Sequence, residues 1–451
     1  MLTRDAAAYL DQWGRRPTRK PLVVRGARQV GKTHLVEHWG RSAFSSIVTI
    51  DLERERDLHR VFEQPDPARL VQEISVLKNA RIVPGETLLF LDEIQACPRA
   101  LAALRYFHEL LPALHVVAAG SLLDFALRDF AHPMPVGRVE YLFLHPLSFS
   151  EFVRATEGPG LAGAIEACLP AVAIAPAIDA RLKEALRHYL FVGGMPEAVQ
   201  AHAAGAPLLD IQRIQSSITA TMEDDFAKYG SRAQQDLLRV ALRHVARNVG
   251  RKIKFANVSS ERRAADVRAA LNLLALGRVI HLVHHSAANG VPLGAEVDDK
   301  RFKAVFLDCG LVNRVCGLQL SPVGDLLTVN EGALAEQFVG QELRASGLPF
   351  EDGPLYYWHR EARNANAEVD YLVAAGGRVM PVEVKAAAGG ALRSVFQFAR
   401  DKGRGQAIRL YLGPAGEEVL RIPGSGPETV RVLSLPLYLA GQVQRLAGAW
   451  V

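Results

Sequence analysis

Gly26, Ala27, Arg28, Gln29, Val30, Gly31, Lys32 and Thr33 spell GxxxxGK[ST], and His34 opens a run of helical character behind them. The glycines let backbone N–H groups turn inward on an anion, and a helix N-terminus adds partial positive charge. In that setting Lys32 would reach the β and γ phosphates of a nucleotide, and Thr33 would hold Mg²⁺. Further along, Leu88, Leu89, Phe90 and Leu91 form an apolar run that ends in Asp92 and Glu93. Asp92 suits the Mg²⁺ shell, and Glu93 suits a base that orients an attacking water. Alone, the second stretch also reads as a buried strand closed by a capping Asp; the two stretches together favour nucleotide chemistry.

Two single residues join this set. Ser121 follows the apolar run His115–Gly120, where a sensor of the γ phosphate would sit. Arg138 stands between Gly137 and the strand-like run Val139–Leu144. A cation there could neutralise charge developing on a phosphoryl group, in its own chain or across a subunit boundary. The other reading of Arg138 is a surface residue flanking a strand.

A second grouping lies near the C-terminus, where Glu336, Asp370, Glu383 and Lys385 occur in that order. Glu336 falls near the start of a helical stretch, Glu331–Ala345, and Asp370 falls on an alternating run, Ala367–Val373. After a Gly376-Gly377 turn, Glu383 and Lys385 fall on Val379–Lys385. Strand side chains alternate, so Glu383 and Lys385 share one face while Val382 and Val384 take the other. Carboxylates so placed can hold Mg²⁺ or Mn²⁺ through hard oxygen ligands, and Lys385 can stabilise an attacking hydroxide or a pentavalent phosphate. An ion pair between Lys385 and Asp370 or Glu383 at a hairpin edge is the alternative.

Positioning these groups requires an α/β scaffold. Pro21–Arg25 must be a strand feeding the glycine loop, and the run before Asp92 a central parallel strand that delivers both acids to the sheet's C-terminal edge. Between the two groupings, Gln234–Val249 and Ala264–Leu276 have helical periodicity and Val279–Val283 has strand character, the order of a winged helix. Arg232–Arg278 holds eleven Lys or Arg against three acids, a local charge of +8 in a chain whose net charge is only +5. Arg239, Arg243 and Arg247 recur every four residues and share one stripe. Such a stripe tracks the phosphates of DNA or RNA, or is the solvated face of a packed helix.

The stretches RGARQVGKT, LLFLDEIQ, AAGSLL and GRVEYLFLHPLSFSEF together resemble the AAA+ ATPases of bacteria and archaea that join a P-loop domain to a C-terminal domain of unknown function. Tyr189–Glu197, Phe306–Leu311, Gly332–Glu336 and Tyr357-Trp358 are similar to further blocks of that family, so the resemblance runs from about Arg15 to Gly441. It implies a turn at Gly193-Gly194-Met195-Pro196 that faces the nucleotide. The family's sensor is commonly Asn, where this chain has Ser121. The set Glu336, Asp370, Glu383 and Lys385 resembles the restriction-endonuclease-like (PD-(D/E)xK) pattern, whose relatives often keep the fold after losing cleavage.

These readings give an α/β multidomain chain. An AAA+ type P-loop domain is expected over 1–160, a helical lid and winged-helix-like module over 161–300, and a restriction-endonuclease-like domain over 301–451. The expected ligands are ATP, ADP and Mg²⁺, with a second Mg²⁺ or Mn²⁺ at the C-terminal carboxylates, nucleic acid as macromolecular partner, and self-association if Arg138 acts in trans. The expected function is Mg²⁺-dependent ATP hydrolysis that controls a nuclease-like domain; the alternative is a nucleotide-gated regulator or scaffold whose C-terminal fold is inert. A transcription factor built on the basic block would leave the carboxylate–lysine set unexplained.

Composition bounds the rest. Hydrophobic residues make up 49% and charged residues 22%, a globular balance. The N-terminal stretch is charged and amphipathic, unlike a secretory leader. The most apolar run, Ala167–Ile178, is broken by Pro170 and Pro176 and is shorter than the roughly 20 residues a membrane span needs. Cys97, Cys168, Cys309 and Cys316 lack CxxC spacing, so reduced thiols in a cytoplasmic protein are expected.

Overall fold

The computed structural model describes residues 2–121, 123, 137–228, 231–317, 326–360, 367–387, 392–424 and 428–451. The chain divides into two compact units, Thr3–His145 with Gly347–Asp352, and Pro146–Ser346 with Gly353–Val451.

Among the described residues, the first unit is built on five parallel strands: β1 (Leu22–Arg25), β2 (Ser46–Asp51), β3 (Thr87–Asp92), β4 (His115–Gly120) and β5 (Glu140–Phe143). Their spatial order is β2-β3-β4-β1-β5. Helices cover both faces of such a sheet, which is why its central strands are apolar throughout. Every residue of β3 and β4 is buried. Leu88, Leu89, Phe90 and Leu91 are wholly inaccessible, each contributing roughly 1.5–3 kcal/mol by burial. That packing fixes the end of β3, where Asp92 lies. The outer strand β5 receives a segment from far along the chain: the Phe143 amide donates to the Pro349 carbonyl at 2.7 Å, and the Phe350 ring lies 6.0 Å from Tyr9.

The second unit begins with a helix, Phe149–Thr156, closed at its start by reciprocal Ser148 and Glu151 bonds. Helix Pro176–Val192 stops at Gly193, whose φ of +76° suits glycine, and Pro196 opens the next helix, Pro196–Ala203. The Asp308 carboxylate occupies the space a side chain at Gly193 would need, and the Leu147 carbonyl the space at Gly194.

Helices Arg232–Arg247, Phe255–Val258 and Ala264–Leu276 follow. Next come β6 (Ile280–Ser286) and β7 (Val297–Phe306), then β8 (Leu355–His359), β9 (Glu368–Ala375), β10 (Arg378–Val384), β11 (Gln406–Tyr411), β12 (Gly416–Arg421) and β13 (Thr429–Pro436). Among the described residues these eight form one mixed sheet, ordered β12-β13-β11-β10-β9-β8-β6-β7. The borders expected at 160 and 300 fall inside the helix Pro159–Glu166 and inside β7. Because β6 pairs in parallel with β8, the β6–β7 hairpin shares its sheet with the C-terminal strands.

The C-terminal part runs helix Leu326–Ala345, then β8, β9 and β10 as an antiparallel set, then helix Arg393–Lys402, then β11 parallel to β10. Gly376 and Gly377, with φ of +56° and +72°, make the β9–β10 turn where the sequence places it.

Candidate functional site

Gly26 to Gly31 connect β1 to the helix Lys32–Ala43. Gln29 and Gly31 both have positive φ, +62° and +88°, so the loop curls back on itself. Successive amides in such a curl form an anion-binding concavity. A methyl group on Gly26 would collide with the Leu144 carbonyl oxygen, so close backbone approach fixes the loop's entry. Ala27 and Val30 are buried beneath it, Arg28 is half-buried, and Gln29, Thr33 and His34 are exposed. The Lys32 ammonium donates to the Gly26 and Ala27 carbonyls at 3.1 and 2.8 Å.

Parallel pairing brings the end of β3 to the same edge. Thr33 Oγ1 donates to Asp92 Oδ2 at 2.7 Å. Burial lifts the Asp92 carboxyl above its ordinary value, against the Thr33 hydrogen bond that favours its ionised form. Glu93 turns out of the strand with φ +47° and ψ +46°, a left-handed backbone uncommon for a residue with a side chain. Its Oε2 accepts from Gln95 Nε2 at 2.5 Å and from Ser121 Oγ at 3.3 Å. Lys32, Thr33, Asp92, Glu93 and Ser121 thus line one edge. Two neighbours gave no signal in the sequence: Gln95 through its bond to Glu93, and Arg4, which donates to the Val30 carbonyl at 3.0 Å.

Arg138 lies elsewhere. It precedes β5, whose first residue Glu140 pairs with Leu22 at the start of β1, so it stands at the sheet edge opposite Gly26. There its Nε pairs with Glu109 at 2.7 Å. A residue that precedes a strand of a parallel sheet cannot also sit at that sheet's C-terminal edge, so Arg138 does not meet the phosphate loop of its own chain.

In the second unit the strand phases expected for Asp370, Glu383 and Lys385 hold. Asp370 Oδ2 accepts the Val384 amide across the β9–β10 pair at 2.7 Å, and Lys385 Nζ donates to Glu383 Oε1 at 2.6 Å. Two residues that sequence reasoning missed complete the cluster, Lys303 on β7 and Glu368 on β9. The fully buried Lys303 ammonium pairs with Glu336 Oε1 at 2.5 Å and Glu368 Oε1 at 3.2 Å. Burial opposes its charge, but Glu336, Glu368 and Asp370 more than offset that and hold it above the ordinary lysine range. Burial raises the Glu336, Asp370 and Glu383 carboxyls, with Asp370 adding to the rise at Glu383.

The second metal expected at Glu336, Asp370 and Glu383 does not fit this arrangement. Among the described residues no group of three or more His, Cys, Asp or Glu is disposed to hold a metal ion. Each of the three carboxylates already engages a nitrogen donor, and the cation at the cluster is an ammonium. The remaining Glu383 oxygen is buried without a hydrogen-bond partner.

The Arg stripe is partly paired. Arg239 contacts Asp236 at 3.2 Å and Glu223 at 3.7 Å, and Arg243 contacts Glu223 at 3.9 Å. All four cysteines are free thiols. No helix among the described residues is long and apolar enough to cross a membrane.

Residues 18–153 match the model of an AAA domain. Residues 183–321 and 331–438 match two models described only as domains of unknown function, DUF8612 and DUF4143. No curated protein matches the chain. Among solved structures it is similar to RuvB of Thermotoga maritima, at 13% identity over 66% of this chain and 93% of that one, with a TM-score of 0.28. AMPPCP-bound DnaA of Aquifex aeolicus is similar at 11% identity over 59% and 85%, with a TM-score of 0.24. PCH-2 of C. elegans is similar at 13% identity over 36% of this chain, with a TM-score of 0.23; the match spans 46% of that protein, less than half its length. On the match over residues 18–153, the first unit carries an AAA domain.

Proposed function

We propose that this protein is a Mg²⁺-dependent ATPase whose nucleotide state gates a C-terminal, nucleic-acid-associated domain of restriction-endonuclease-like topology. The observation that carries the ATPase reading is the Thr33–Asp92 pair, 2.7 Å apart at the mouth of the glycine loop. Those two oxygens would hold Mg²⁺, which when bound supplies positive charge against the β and γ phosphates. The loop amides and Lys32 bind and orient the triphosphate. Glu93 holds the attacking water, and Ser121 and Gln95 fix the Glu93 carboxylate for that task.

The geometry of Arg138 favours action in trans. An exposed cation at the far sheet edge can serve only a neighbouring subunit's nucleotide. Arg138→Ala is then expected to lower ATP turnover by about 10³-fold, the low end for arginine fingers. Adding Lys32→Ala subunits, which keep Arg138 but cannot hydrolyse, should restore part of that turnover. No loss on Arg138→Ala, or no recovery in mixtures, would remove it from the mechanism.

The helix, three antiparallel strands, helix, parallel strand order supports the restriction-endonuclease-like reading of the C-terminal part. The cluster's lack of fit to a metal favours the second reading of its role, a gated scaffold that binds without cutting. The helices over Arg232–Leu276 followed by the β6–β7 hairpin support a winged-helix reading, and Arg243, with 55% of its side chain exposed, remains accessible to phosphates. Calorimetric ATP binding and a phosphate-release assay on the full chain test the ATPase; absence of both sinks it.

A further inference from the structure

We infer that Lys303 is the resident cation of the C-terminal carboxylate cluster, taking the place that a divalent metal would otherwise fill, so that this face of the sheet is held together without metal. The inference deepens the gated-scaffold reading of the C-terminal domain, and it does not depend on ATP hydrolysis.

Four carboxylates, Glu336, Glu368, Asp370 and Glu383, come from one helix and two strands around the buried Lys303, Glu383 buried and the other three half-buried. Lys303 reaches them from β7, with β8 and β6 lying between it and β9 in the sheet. Its side chain is 0% exposed, and its ammonium sits in ion-pair contact with two of the four. The rings of Tyr357 and Tyr371 lie 5.0 and 5.6 Å from that nitrogen. An ammonium gains from aromatic faces through the ring quadrupole. Magnesium prefers about six oxygens, several of them from water, and these aromatic rings offer none.

The surroundings fix Lys303 in this role. Tyr371 OH donates to the Glu336 carbonyl at 2.8 Å, bracing the helix that brings Glu336. Lys252 Nζ binds Glu368 Oε2 at 2.9 Å, so Glu368 is bonded through both oxygens. Gly250, with φ +74°, passes so close that a side chain there would meet the Glu336 carboxylate, which closes the cluster on that side. A divalent ion would have to enter beside a buried ammonium, where like charges repel strongly in low dielectric. Removing the ammonium reverses the balance: carboxylates left unpaired in the interior are strongly unfavourable and would recruit a cation.

The test is Mn²⁺ binding to the full chain with saturating ADP, counted by electron paramagnetic resonance, for wild type, Asp370→Asn and Lys303→Met. Wild type and Asp370→Asn should bind the same number of Mn²⁺ ions, those of the nucleotide site alone. Lys303→Met should bind one more per chain, and the Lys303→Met/Asp370→Asn double variant should lose it. A Mn²⁺ ion on wild type that Asp370→Asn removes overturns the inference, whether or not Lys303→Met folds. So does a Lys303→Met chain that still binds ADP yet gains no Mn²⁺. The ADP-associated ion and phosphate release report on the ATPase separately, so either reading can fail without the other.

Discussion

Glu93→Gln is expected to lower ATP turnover by roughly 10²–10⁴-fold while leaving ATP bound, and Lys32→Ala is expected to abolish turnover and weaken binding together. The difference follows from where each group acts. Lys32 now donates to the carbonyls of Gly26 and Ala27, so its ammonium already sits over the loop that would cradle phosphates. Losing it removes a charge that both ground state and transition state use. Glu93 touches no part of the loop; its carboxylate is held by Gln95 and Ser121 at the end of the neighbouring strands. Changing it to the amide keeps size and position but removes the base. Single-turnover hydrolysis beside equilibrium binding of a fluorescent ATP analogue separates the two. Glu93→Gln turning over at the wild-type rate would assign the base elsewhere, and full activity in Lys32→Ala would remove the phosphate loop from the chemistry.

The largest effect on stability is expected at Asp308. This wholly buried carboxylate accepts from the Gly194 amide at 2.6 Å, the Leu311 amide at 3.1 Å and Gln341 Nε2 at 3.2 Å. It thereby ties the bend between two helices to the start of the helix Cys309–Val315. Asp308→Ala leaves those donors without their acceptor, at about 1–3 kcal/mol for each one left unsatisfied. A large fall in the urea midpoint is expected; an unchanged midpoint would show that the bend holds without it.

Asp308 also sets a pH dependence. Burial raises its pKa from 3.8 to about 6, against the hydrogen bonds from Gly194 and Leu311. The folded chain then holds this proton more tightly than the unfolded chain. Its stabilising contribution is full below about pH 4 and is lost as pH rises through about 6. A shift of that size corresponds to roughly 3 kcal/mol. Subtracting the Asp308→Asn unfolding profile from wild type between pH 4 and 7 should reveal that falling slope; parallel profiles would assign the pH dependence to other groups.

The grouping of Lys32, Thr33, Asp92 and Glu93 at one sheet edge was legible because its geometry is local. A glycine loop between strand and helix, and two acids at the end of an apolar strand, are contiguous stretches whose positions a parallel sheet fixes. The same rule, applied to Arg138, places it at the opposite edge, since it precedes its strand. The C-terminal strands were legible through alternation, which put Asp370, Glu383 and Lys385 in the right phase. Lys303 was not. The stretch around Lys300, Arg301 and Lys303 reads as a charged, exposed edge, and Arg301 is indeed 48% exposed on its side chain. What surrounds Lys303 is tertiary: carboxylates that arrive from residues 336 and 368, and the rings of Tyr357 and Tyr371. Gln95 and Arg4 were illegible for a related reason, since a single hydrogen bond to a distant element leaves no periodic trace.

The segment Gly347–Asp352 returns to the nucleotide-binding unit after some two hundred residues spent in the other, and there it covers the outer strand through the Phe143–Pro349 bond. The gene order of the two units is therefore interleaved rather than serial. A fragment ending at His145 would carry the whole glycine loop and the end of β3 and still expose the backbone of β5, the kind of bare edge that invites strand-to-strand aggregation. Dissection of this protein cannot proceed by simple truncation: the six-residue return has to be supplied, in cis or as a peptide, for the first unit to be whole.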